Sequence, residues 1–134
     1  MTPASATLPS PDAVVLKGVR EEPSVDDGVR VLVDRLWPRG VSKERAALDQ
    51  WAKYATPSTE LRRAFHSGQL GWPEFVDAYR AELTEHPAAA AVEELRSRAL
   101  SGRVTLLFAG HDHDHTHARV LREAVLGVPD PDLP

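Results

Sequence analysis

Apolar residues first gather in Ala13-Val14-Val15-Leu16, a run that continues through Lys17 to Val19 and predicts a strand. Turn signals follow at Pro23 and Asp26-Asp27-Gly28. The next run, Val29-Arg30-Val31-Leu32-Val33-Asp34-Arg35-Leu36, predicts a second strand. Its β-branched, nearly continuous apolar character suits a sheet covered on both faces. Trp37-Pro38-Arg39-Gly40 ends it, because proline cannot continue a central ladder.

The periodicity then changes to that of helices. Ser42 is a cap for a stretch whose apolar side includes Ala47, Leu48 and Trp51. Thr56 or Ser58 opens a second, with Leu61 and Phe65 on one face. Pro73 starts a third, in which Phe75, Tyr79 and Leu83 recur every fourth residue. Pro87 starts a fourth, lined by Val92, Leu95 and Ala99 and closed by Gly102. Val104-Thr105-Leu106-Leu107-Phe108-Ala109 predicts the third strand, and Ala118, Leu121 and Val125 stripe a last helix. This order implies a single α/β domain, a small, mainly parallel sheet of about three strands covered by about five helices. The helical excursion from Gly40 to Arg103 can return the third strand parallel to the second. The first connection is too short for an easy parallel crossover, so a hairpin or a non-adjacent placement is expected for the first strand.

Proline, serine, threonine and alanine dominate residues 1–13, and the tail GVPDPDLP repeats that character. Loose ends at 1–13 and 127–134 around one domain at 14–126 are therefore expected. A chain of 134 residues buries enough surface to fold without staples. It has no cysteine, which excludes disulfides, thiolate catalysis and Cys-ligated metals. Lys+Arg number 16 against 20 Asp+Glu, a balance that argues against nucleic acid as a partner. No stretch reads as a membrane span or an export signal, so cytoplasmic residence is the expectation. Oligomeric state is not readable from the pattern.

Ligands of open α/β sheets bind outside the carboxyl ends of the strands. If the second and third strands run parallel, Asp34 to Gly40 and Gly110 to His117 converge there. Arg35 and Arg39 are candidates to hold a small anion bidentately, or to brace the turn, and Trp37 is a candidate ligand contact or a packing residue. Asp34 fits a general base, an orienter of an imidazole, or a structural ion pair with a neighbouring arginine. Four of the six histidines alternate with Asp or Thr between His111 and His117. These can hold a divalent transition metal with Asp112 or Asp114, act as acid and base, or form a solvated loop. Asp112 or Asp114 is also a candidate cap for the last helix, whose N-terminus would favour an anion.

The string Asp34-Arg35-Leu36-Trp37-Pro38-Arg39-Gly40, preceded by Asp27-Gly28 and Arg30-Val31-Leu32-Val33, resembles the YeaO-like branch of the domain-of-unknown-function 488 family. The likeness continues through Trp51, Pro57-Ser58, Glu60-Leu61, Trp72, Phe75 and Tyr79, and ends at Asp112, His115 and His117-Ala118. The resemblance supplies no reaction and no established catalytic residues. Asp112, His115 and His117 follow the family pattern, whereas His111 and His113 exceed it. Members typically carry asparagine where this chain has Thr116. Longer relatives carry a cysteine-histidine pair in the corresponding loop, and that chemistry has no counterpart here. Asp34, His115 and His117 are thus the catalytic candidates. Arg35, Trp37, Arg39 and Thr116 are the candidate ligand contacts, and Asp112, His115 and His117 the candidate metal ligands. The function expected is binding of a small anion, with or without turnover; a metal-binding protein and a non-enzymatic regulatory module are the alternatives.

Overall fold

A computed structural model describes residues 7–134. Four strands, β1 (Val14–Gly18), β2 (Val29–Leu32), β3 (Gln50–Trp51) and β4 (Val104–Phe108), form one sheet in the order β1-β4-β2-β3. Every neighbouring pair is parallel, with Val14 opposite Val104 and Val29 also opposite Val104. The short first connection is therefore resolved by non-adjacent placement: β1 pairs with β4, which lies between β1 and β2. Gly28 makes the entry to β2 possible, since at its φ of +63° a Cβ would stand 2.2 Å from the Arg103 carbonyl oxygen.

Five helices complete the domain: α1 (Lys43–Ala46), α2 (Thr59–His66), α3 (Trp72–Glu82), α4 (Ala88–Ser101) and α5 (His117–Leu126). The alternation of strand side chains divides the core in two. Val31, Val33, Leu106 and Phe108 meet α2 to α5 through residues such as Phe75, Tyr79, Leu95 and Leu121. Leu32 and Leu107 point the other way, onto Val19, Val41, Ala46 and the two partly buried tryptophans Trp37 and Trp51. Burial on both faces explains why all of Val104–Phe108 is inaccessible and why β2 and β4 read as nearly continuous apolar runs, interrupted by Arg30 and Thr105.

The helix expected to include Ala47, Leu48 and Trp51 is a single turn. Ser42 caps it, accepting from the Arg45 N–H, but Ala47 takes a left-handed conformation and the chain leaves as β3. Pairing with β2 overrides the helical pattern there: Asp49 N–H donates to the Arg30 carbonyl and Ala52 N–H to that of Leu32. Strand β2 ends at Leu32, although Val33 still donates to the Leu107 carbonyl. The residues beyond it form a loop over the strand ends, in which Leu36 is 68% exposed.

Thr116, not Asp112 or Asp114, caps α5: its hydroxyl accepts from the Ala118 N–H. Asp112 is spent inside its own turn, where one carboxylate oxygen accepts from the N–H groups of both Asp114 and His115. Buried charge elsewhere is paired. Asp27 meets Arg30 at 2.5 Å and Lys17 at 3.0 Å, and the Arg30 guanidinium also donates to the Ala46 and Ala47 carbonyls.

The segment from Gly127, expected as a loose end, makes contacts with the core. Leu133 is 8% exposed, Asp130 pairs with Arg119 at 3.3 Å, and Arg80 donates to the Pro134 carbonyl. At the other end Pro9 is buried and Pro11 accepts from Arg122, while residues 1–6 lie outside the described residues. No helix among the described residues is long and apolar enough to cross a membrane.

Candidate functional site

A cleft of about 510 Å³ opens at the carboxyl ends of β2 and β4, where the two loops converge. The β2 exit contributes Asp34 through Pro38. The loop after β4 contributes Ala109, Gly110, His111, Asp112 and His115, and the start of α5 adds Thr116 and His117. The opposite wall comes from Thr56 and Pro57, from Arg62, Phe65 and His66 on α2, and from Phe75 on α3. Spacings of three and four put the three α2 residues on one helical face. Its size lies in the ordinary range for small organic ligands.

Asp34 and His117 form the inner part of the cleft. One Asp34 carboxylate oxygen accepts from the Ala109 N–H at 2.9 Å, and the other lies 3.5 Å from His117 Nε2. The same Nε2 stands 2.6 Å from the Val33 carbonyl oxygen. A carbonyl can only accept, so the proton sits on Nε2, and the neutral imidazole keeps Nδ1 as an acceptor. The side chains are only 17% and 22% exposed. Burial raises the Asp34 pKa against the opposing pull of His117 and the Ala109 hydrogen bond. Burial likewise lowers that of His117, although Asp34 and the Val33 carbonyl favour its charged form. The pair is thus held toward its uncharged state. The Asp34 backbone carbonyl accepts from Trp51 Nε1 at 2.6 Å, which anchors the loop.

Two arginines face the cleft in different conditions. Arg35 donates from Nε and Nη2 to the Pro57 carbonyl, at 3.3 and 3.2 Å, so part of its hydrogen-bonding capacity braces the opposite wall. Arg62 makes no side-chain hydrogen bond and no ion pair among the described residues, yet it lines the cleft. Its positive charge favours ionised Asp34 and disfavours protonated His117. Sequence reasoning missed Arg62. The available signal was its placement one turn before His66 and beside Phe65 on the amphipathic α2.

The other expected contacts divide. Trp37 lines the cleft but is anchored in the smaller core, with Nε1 donating to Val41 at 2.6 Å and its ring edge-on to Trp51 at 5.4 Å. Arg39 does not line it: the residue is exposed, and its backbone carbonyl accepts from Arg20. Thr116 lines the cleft while its hydroxyl serves the α5 cap, a role asparagine performs equally well. His115 Nδ1 lies 2.8 Å from Asp112, and its ring meets Trp72 edge-on at 5.3 Å. That hydrogen bond and those from the loop backbone hold the Asp112 pKa below the usual carboxylate range.

The metal set expected from sequence is not assembled. His117 Nε2 is engaged by Val33, and His115 turns to Asp112 instead. Among the described residues no three His, Asp or Glu side chains gather closely enough to hold a metal ion. His113 packs edge-on against Phe108 at 4.8 Å, outside the cleft lining.

Comparison with known proteins adds a family and no activity. A family model described as "Inactive DUF488-N3 subclade" matches residues 13–129. "Uncharacterized protein YeaO" of Escherichia coli (strain K12) is 42% identical over 107 residues, 80% of this chain and 91% of the relative. "Uncharacterized protein Rv3073c" of Mycobacterium tuberculosis (strain ATCC 25618 / H37Rv) is 37% identical over 109 residues, 81% of this chain and 90% of the relative. No solved structure gives a significant match.

Proposed function

The chain belongs to the inactive DUF488-N3 subclade, and from that premise we propose that it binds a small anionic molecule at the strand ends without turning it over. The observation that carries this reading is Arg62, a guanidinium on a cleft wall with no partner among the described residues. Arginines with structural roles elsewhere in the chain are spent on protein acceptors, as Arg30, Arg80, Arg96 and Arg122 are. A planar cation left unpaired in a half-enclosed cleft suits a carboxylate or phosphate. The start of α5 lends its positive end.

Asp34 and His117 are the observation that favours proton transfer, since their environments suit groups that titrate away from their ordinary values. The description of the subclade as inactive weighs against turnover, and the pair serves instead to tune the charge of the cleft. A thermal-shift screen of acetate, inorganic phosphate and aromatic acids against wild type and Arg62→Ala tests the reading. At least one anion should raise the wild-type Tm and leave the variant's unchanged. Equal stabilisation of both proteins, or of neither, overturns it.

A further inference from the structure

Building on the anion-binding reading, we infer that the ligand is a ring-bearing acid, with one anionic head at Arg62 and a planar apolar body against Phe65, Leu36 and Trp37. An inorganic oxyanion would fill only a small part of a 510 Å³ cleft. The lining is mixed: beside its charged and polar residues stand Leu36, Trp37, Pro38, Pro57, Phe65 and Phe75, an apolar share that an inorganic ion would leave uncovered. Leu36, 68% exposed, lines the cleft and offers an apolar side chain to whatever enters it. Phe65 stacks on Phe75, with centroids 4.5 Å apart and planes at 28°, and is itself only partly buried. Both rings line the cleft, and a planar ring of the ligand would add to that aromatic cluster.

The charge inventory limits the head to one. Asp112 is satisfied by His115 and by two backbone N–H groups. Arg35 already serves the Pro57 carbonyl, which leaves Arg62 as the cleft-lining arginine whose donors are unspent among the described residues. Asp34 also lines the cleft, and when ionised it would oppose a second negative group.

Isothermal titration calorimetry of the full chain with paired probes tests this inference. 1-Naphthoate is compared with acetate, phenyl phosphate with inorganic phosphate, and 1-naphthamide supplies the uncharged isostere. The ring-bearing acid should bind at least tenfold more tightly than its ringless partner, and 1-naphthamide at least tenfold more weakly than 1-naphthoate. Leu36→Ser, at an exposed position that the fold tolerates, should reduce naphthoate affinity at least threefold and leave acetate affinity unchanged. If acetate and phosphate bind as tightly as their ring-bearing partners, the ring is not recognised: this inference falls and the anion reading stands. If 1-naphthamide matches 1-naphthoate, or if no acid binds, the inference and the anion reading fall together.

Discussion

Replacing Arg62 with alanine separates a ligand-holding cation from one that holds the fold. Its guanidinium has no hydrogen bond or ion pair among the described residues, so the variant breaks no polar contact within the protein. Stability should then stay within about 0.5 kcal/mol of wild type, the range for substitutions that disturb no such contact. Anion affinity should behave differently. A hydrogen bond to a charged group contributes roughly 1.5–3 kcal/mol, which corresponds to a loss of about 10- to 150-fold in Kd. Arg35 is the internal control. It spans to the Pro57 carbonyl from two donors, so Arg35→Ala should cost the fold about 1 kcal/mol and change anion affinity less than Arg62→Ala does. Urea unfolding measures the first quantity and calorimetric titration with 1-naphthoate the second. A fall of more than about 1.5 kcal/mol in the stability of Arg62→Ala, with affinity unchanged, would make Arg62 a structural brace and refute the reasoning.

The remaining expectations use the same geometry. Burial holds His117 below its ordinary value near 6.5, so the unfolded chain takes up that proton first as the pH falls. Stability should therefore decline below about pH 6.5 until the folded imidazole also titrates; buried Asp34 acts in the opposite sense at lower pH, because its raised pKa makes the folded state take up that proton first. His117→Asn should show a smaller drop in urea midpoint between about pH 7.5 and 5.5, and an undiminished drop would sink the assignment. Thr116→Ala should cost about 1 kcal/mol through loss of the α5 cap, while Thr116→Asn stays within a few tenths, both read by thermal unfolding. Asp27→Ala strands the buried Arg30 guanidinium and should cost about 3–5 kcal/mol, and a change below about 1 kcal/mol would show that water reaches the pair. Elemental analysis of untagged protein should find less than one transition metal per chain, because no three His, Asp or Glu side chains gather closely enough among the described residues to hold one.

Much of this architecture is legible in the residues. The nearly continuous apolar character of β2 and β4 announces burial on both faces, and of the convergence expected between Asp34–Gly40 and Gly110–His117 the structure contains Asp34 to Pro38, Gly110 to Asp112 and His115 to His117. Two kinds of feature were hidden. β3 owes its existence to backbone bonds with β2, which no local pattern encodes, so Leu48 and Trp51 read as helical. Arg62 was hidden because a surface arginine on an amphipathic helix looks the same whether it faces solvent or a cleft. The histidine loop misled in the other direction. Alternation suggested shared ligation, but tertiary contacts send His113 to Phe108, His115 to Asp112 and Trp72, and His117 to Val33. Thr116 caps α5, a role that asparagine is equally able to fill.

The most direct test is a nitrogen-15 NMR titration of the protein with 1-naphthoate, following the Arg62 Nε–H, the His117 ring and the Ala109 amide together. Binding at the strand ends should shift all three in proportion, with one affinity, while the Arg80 and Arg96 Nε–H signals stay fixed in their own pairings. Saturation that leaves Arg62 and His117 unmoved, or that shifts the distant arginines instead, would contradict the account.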